Sequence, residues 1–331
     1  MKKLLLLFLV GVSGYSFAQQ LPQYSQYNRN QIMVNPGAAG MYDFLDITLG
    51  GRMQWVGIEN SPNTAYAYGS TVLSRNKVRY NPSLRTSYGP MPSPKVNTGK
   101  IKHAIAGQVV ADQYGAFRDI SFSGIYAIHL PISRNYNISF GTKLGISNST
   151  FLQDRATVLS QMPGYTGPVV TDAVYDTYMA NQSSLNFMDI GAGLFFYGDG
   201  VYAGVSADQL TTALVRFGQG TANFDPQIHL NFTGGYRFNL TDQWTMMPSI
   251  LVKMMSPAPT TIEGSLQFEY NEWLWFAASY RHTDAIIGML GCNISRRFKL
   301  GYSYDFSISE FNNYSSGGHE LVLGLMIGRN D

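Results

Sequence analysis

The chain has 331 residues, of which 13% are charged and 14% aromatic, and its 34 glycines accompany a mean hydropathy of only −0.09. So few charges exclude a disordered polyelectrolyte, and a net charge of +2 argues against a general nucleic-acid binder. The single cysteine, Cys292, excludes an internal disulfide framework and a cysteine-based metal cluster.

Met1-Lys2-Lys3 followed by the apolar run Leu4 to Val12 and by Ser16-Phe17-Ala18 reads as a secretory signal cut after Ala18. Removing Lys2 and Lys3 leaves 21 basic against 21 acidic residues, so the mature chain is formally neutral. No later run is long and apolar enough for a membrane helix. Residues 19–44 are polar, turn-rich and almost uncharged, the composition of a plug folded into a polar lumen or of a periplasmic tail.

From residue 45 onward the hydrophobic period is two. In Gln227 to Leu240, Ile228, Leu230, Phe232, Tyr236, Phe238 and Leu240 share one parity, and Gln227, His229, Asn231, Thr233, Arg237 and Asn239 the other. Strand side chains alternate faces, so such a segment has one apolar and one polar face. About fourteen segments follow this rule: 45–55, 64–73, 101–112, 118–130, 135–147, 187–197, 200–208, 227–240, 243–255, 261–271, 273–282, 285–294, 297–306 and 318–328, although 243–255 and 273–282 alternate poorly. Most are longer than the five or six residues usual in soluble sheets. Long strands, an even count and dyad alternation predict a transmembrane antiparallel β-barrel over 45–331, and a large soluble β-sandwich is the competing fold.

Tight connections at 198–200, 240–242, 271–272 and 295–297 belong on the periplasmic rim, and the longer ones near 148–186, 209–226 and 307–317 on the outer rim. The connection 74–102 breaks this rule. It is long, carries Pro82, Pro90, Pro92 and Pro94, and holds Arg75, Lys77, Arg79, Arg85, Lys95, Lys100 and Lys102 with no acidic residue. A basic loop on the short-turn side suggests a docking site for an acidic periplasmic partner. On the outer side Tyr165, Tyr175, Tyr178 and Phe217 are the candidate anchors for a bound protein.

Trp55, Tyr136, Trp244, Tyr270, Trp273, Trp275 and Tyr280 lie toward segment ends, where barrels place their aromatic girdles. Asp46, Arg52, Lys143, Arg237, Glu263, Glu269, Lys299 and Asp305 fall on polar faces, and their mixed signs predict ion pairs across a filled lumen; a wide charged pore is the alternative. His129 and His229 share the polar parity and read as lumen wall, while Cys292 falls on the apolar parity. No hydrolase, metalloprotease or nucleotide-binding signature occurs, and neither a catalytic residue, a cofactor site nor a metal site is expected.

Several strings resemble the PorP/SprF family of Bacteroidetes outer-membrane proteins. They are Gln19-Gln20-x-Pro22-Gln23-Tyr24-Ser25-Gln26-Tyr27 with Asn35-Pro36 and Ala39-Gly40; Arg52-x-Gln54-Trp55-x-Gly57; Ser279-Tyr280-Arg281 with Asp284-Ala285; and Leu300 to Phe306 followed by Ser316-Gly317-Gly318-His319-Glu320. The resemblance covers nearly the whole mature chain. It implies a non-enzymatic component of the type IX secretion system that helps export a cargo protein, such as a gliding adhesin, or anchors it at the cell surface. It also implies contact with other secretion components. A barrel transporter with an N-terminal hatch for small or hydrophobic solutes is the alternative, and an outer-membrane hydrolase the more distant one.

Overall fold

The computed structural model describes residues 22–73, 101–133, 135–156, 166–167, 176, 184–211, 216–217, 227–256, 258–295 and 297–328. The expected signal sequence and nearly all of the basic connection lie outside them.

Among the described residues fourteen strands form one antiparallel ring. They are β1 (Leu45–Met53), β2 (Asn63–Val72), β3 (Lys102–Tyr114), β4 (Phe117–Pro131), β5 (Tyr136–Phe151), β6 (Ser184–Gly198), β7 (Val201–Asp208), β8 (His229–Tyr236), β9 (Trp244–Met255), β10 (Thr261–Tyr270), β11 (Leu274–Arg281), β12 (Ala285–Asn293), β13 (Phe298–Ser307) and β14 (Gly318–Ile327). Each strand pairs with its sequence neighbours, and β14 returns to β1 in a register running from Leu45↔Ile327 to Met53↔His319. That last pairing closes the sheet, so no strand edge is left open. Phe238–Asn239 continues β8 past Arg237, and Arg216–Phe217 adds a short pairing onto β6.

Hairpin chemistry keeps one rim tight. Asp199 and Gly200 both have positive φ, 40° and 92°, between the paired Gly198 and Val201. Asn271 and Glu272 do the same at 48° and 57°, and Trp273 N–H donates to the Tyr270 carbonyl at 2.9 Å. These are turns whose twist matches that of the flanking strands. The long connections leave from the opposite, loop rim. β2 and β3 run out side by side at the turn rim, with Leu73 N–H donating to the His103 carbonyl at 2.7 Å; the connection between them, 74–100, lies outside the described residues.

The two faces of the ring differ as the period requires. Leu144, Phe122, Leu290 and Leu323 point outward and are exposed, whereas Ser123, Ser139, Ser303 and Glu320 point inward and are buried. An apolar outer belt over a polar interior is the arrangement a bilayer imposes, because unpaired backbone groups and charges are costly in hydrocarbon. The segment 273–282, whose residue types alternate poorly, alternates strictly in burial as β11. The reason is Trp275, which takes the inward parity and is 1% exposed. It is therefore part of the interior, not of an aromatic girdle; its neighbour Trp273 is 57% exposed.

Candidate functional site

The interior is occupied by the chain's own residues 22–42. Locally this stretch is built from turns. Asn35 accepts a hydrogen bond from Gly37 N–H at 2.8 Å and Pro36 opens a short 3₁₀ turn (Pro36–Ala38), while Gln31–Met33 forms another. A side chain that mimics a backbone turn, followed by a proline of fixed φ, specifies such a bend without help from the barrel.

The segment starts near the loop rim and ends near the turn rim. At the loop rim, Ser25 N–H donates to Glu320 at 2.6 Å and Ser25 Oγ to Asp305 at 2.7 Å. Both carboxylates are themselves held. Arg52 Nη2 lies 2.7 Å from Asp305, Tyr66 donates to Glu320 at 2.8 Å, and Arg281 reaches Asp305 at 3.4 Å and Glu263 at 2.8 Å. Arg52 also donates to the Gln23 carbonyl at 2.8 Å.

Midway, the segment touches the wall on opposite sides. Asn28 donates to Gln267 of β10 at 3.0 Å, Tyr27 lies 3.2 Å from Ser249 of β9, and Asn30 donates to Tyr66 of β2 at 3.1 Å. The Arg29 guanidinium lies over the Trp275 ring at 4.2 Å. Ser206 donates to the Val34 carbonyl at 2.6 Å. Asn35 donates to the strand carbonyls of Leu194 and Val205 at 3.0 and 3.2 Å. This close approach needs the absence of side chains beneath it: a Cβ on Gly193 would meet Asn35, and one on Gly141 would meet Pro36. At the turn rim, His129 Nε2 donates to the Ala39 carbonyl at 2.8 Å, and Gly40 N–H donates to Ser70 at 2.8 Å.

Burial raises the phenols of Tyr24, Tyr27 and Tyr42 well above their ordinary value, with nearby carboxylates adding to the effect at Tyr24 and Tyr42. All three are neutral groups in the interior.

The inward charges foreseen from the sequence do pair, but along the wall rather than across the lumen. Lys143 of β5 meets Asp189 of β6 at 3.0 Å and Asp208 of β7 at 2.6 Å, and Lys299 of β13 meets Asp46 of β1 at 3.1 Å. The middle of the lumen is taken by the segment, so carboxylate and ammonium groups find partners one or two strands away. Glu269 is 2% exposed, and both its oxygens lack a hydrogen-bond partner among the described residues. His129 and His229 face inward as expected.

Tyr165, Tyr175, Tyr178, Arg75, Lys77, Arg79, Arg85 and Lys95 lie outside the described residues. Phe217 pairs with Asn186 at the loop rim. The sequence reading overlooked Ser25, Arg281 and Glu320 as a unit. All three lie in the strings that carry the family resemblance, but neither those strings nor the inward parity of Arg281 and Glu320 says that they meet, because their meeting depends on contacts nearly 300 positions apart. Among the described residues no group of three histidine, cysteine or acidic side chains is placed to hold a metal ion.

A closed fourteen-stranded ring with an apolar belt and a polar interior defines an outer-membrane β-barrel. Among solved structures, the chain is similar in fold to the toluene transporter TodX of P. putida, with 9% identity over 87% of this chain and 91% of that one and a TM-score of 0.47. The outer membrane protein Omp33 of Acinetobacter baumannii (8%, 86% and 98%, 0.42) and the translocator domain of the autotransporter NalP from Neisseria meningitidis are further barrels of this kind. No curated protein matches the chain. Residues 16–325 match the family model for the type IX secretion system membrane proteins PorP/SprF, and the chain belongs to that family.

Proposed function

We propose that this chain is a non-enzymatic type IX secretion component that holds or escorts an exported protein at the cell surface. A gliding adhesin is the cargo that the family resemblance suggests. On this reading residues 1–18 direct export and are cut off after Ala18. The turn rim faces the periplasm and the loop rim faces outward, as short turns and long loops do in such barrels. The outer loops, through Tyr165, Tyr175, Tyr178 and Phe217, meet the cargo. The basic connection, through Arg75, Lys77, Arg79, Arg85 and Lys95, meets an acidic periplasmic component.

The observation that carries the reading is the occupied lumen. Residues 22–42 bond to strands on opposite sides of the ring, which supports a plug role, and a plugged barrel serves binding better than bulk solute passage. The test is affinity purification from the native membrane followed by mass spectrometry. Co-purification of one large surface protein is the expected result, and recovery of the barrel alone in gentle detergent counts against the proposal. A robust solute-dependent conductance of the purified barrel would instead favour transport.

A further inference from the structure

Lys253 is an inward-facing cation near the loop-rim end of β9. Every other inward lysine of the described strands has a carboxylate within ion-pair distance: Lys102 has Asp43, Lys143 has Asp189 and Asp208, and Lys299 has Asp46. Lys253 has none. Its ammonium donates to the Pro22 carbonyl at 3.3 Å and lies 5.8 Å from the Tyr24 ring centroid. Glu263 and Asp208, whose fields reach it, are engaged by Arg281 at 2.8 Å and Lys143 at 2.6 Å. A half-buried ammonium without a counter-charge is costly unless something else supplies one.

Lys253 also lines a small open pocket between β8, β9 and the start of β10, with room for a carboxylate-sized group rather than a whole ligand. Gln23 and His229 supply further polar walls; Met254, Met255 and Pro259 supply apolar ones, and Pro259 is exposed at the mouth.

We propose that this pocket binds a carboxylate group, with Lys253 as its counter-ion and the methionine and proline wall against the adjoining alkyl or peptide portion. An ammonium has three donors, and one is committed to Pro22. The remaining two suit the two oxygens of a carboxylate. One compact positive charge balances a monoanion, whereas a phosphate group is more often gripped by forked guanidinium groups or several backbone donors. The same chemistry has two sources, a free small organic acid or the carboxyl end of a protein chain, and the experiment separates them.

The purified full-length barrel is titrated calorimetrically with sodium hexanoate, with N-acetyl-Ala-Leu as the free acid, and with the same dipeptide as its amide. Saturable binding of either acid, with none of the amide, is expected. Lys253→Met should weaken it by about tenfold or more, and Lys253→Arg should retain it. Binding of hexanoate alone points to a small acid, and binding of the dipeptide acid points to a chain end. No binding of either acid at about 10 mM, or affinity unchanged in Lys253→Met, overturns the proposal. Should Lys253→Met fail to fold, Lys253→Gln makes the same comparison. None of these readouts depends on secretion, so their failure leaves the cargo-holding reading to its own test.

Discussion

Arg52 and Asp305 meet at 2.7 Å although β14 runs between the strands that carry them, and both side chains are almost wholly buried. The pair therefore spans the strand seam where the ring closes, and it faces the N-terminal segment through Ser25. Removing one member of a buried pair strands the other without compensation. Arg52→Met is expected to cost about 3 kcal/mol or more of barrel stability. Arg52→Met with Asp305→Asn should cost less than the sum of the two single changes. Urea unfolding followed by tryptophan fluorescence measures both, and strict additivity would show that the pair does not couple.

Gly193 lies directly beneath Asn35, and the space has no room for a Cβ. Gly193→Val should displace residues 35–38 while leaving the β-branched side chain comfortable in its strand. Limited proteolysis of the folded barrel should then cut within 22–42 faster than in the parent protein. An unchanged cleavage rate with an intact barrel would mean that the segment is not seated by this contact.

Two tryptophans two positions apart should behave differently. Trp275→Ala opens a cavity under Arg29 and removes a cation–π contact, at a cost of about 3–5 kcal/mol. Trp273 is 57% exposed, and Trp273→Ala should cost about 1 kcal/mol in a lipid environment. Equal shifts of the urea midpoint would refute the inward placement of Trp275.

The buried phenols predict an alkaline limit. Tyr24, Tyr27 and Tyr42 have folded-state pKa values raised by burial above the unfolded value. Their contribution to stability is complete below about pH 10 and is lost as pH rises through the folded values. Protease sensitivity of 22–42 should therefore stay flat from neutral pH to about 10 and rise beyond it. A rise that begins near neutrality would assign control to other groups.

The strands were legible because a wall with lipid on one side and polar atoms on the other forces a period of two, as in β8, β10 and β13. Inward parity correctly placed Asp46, Lys143, Glu263, Lys299 and Asp305 on the interior. It did not say whom they would meet, since partners depend on ring closure and on what fills the middle. Trp275 was misplaced because an aromatic residue suits a membrane interface and a packed interior equally well; only its parity distinguishes them. The path of residues 22–42 had no periodic signal, as its bonds link positions more than 200 apart.

The order of the chain gives this arrangement a consequence for assembly. Residues 22–42 cross the interior from one rim to the other, and β1 begins where they end. Once β1 has zipped onto β14, the interior is bounded on every side, and re-entry would require threading from a mouth. Insertion before that final zipping is simpler, so the leading segment would serve as the core around which the last hairpin is laid down, and losing its contacts would deprive the closing strands of the surface they close upon.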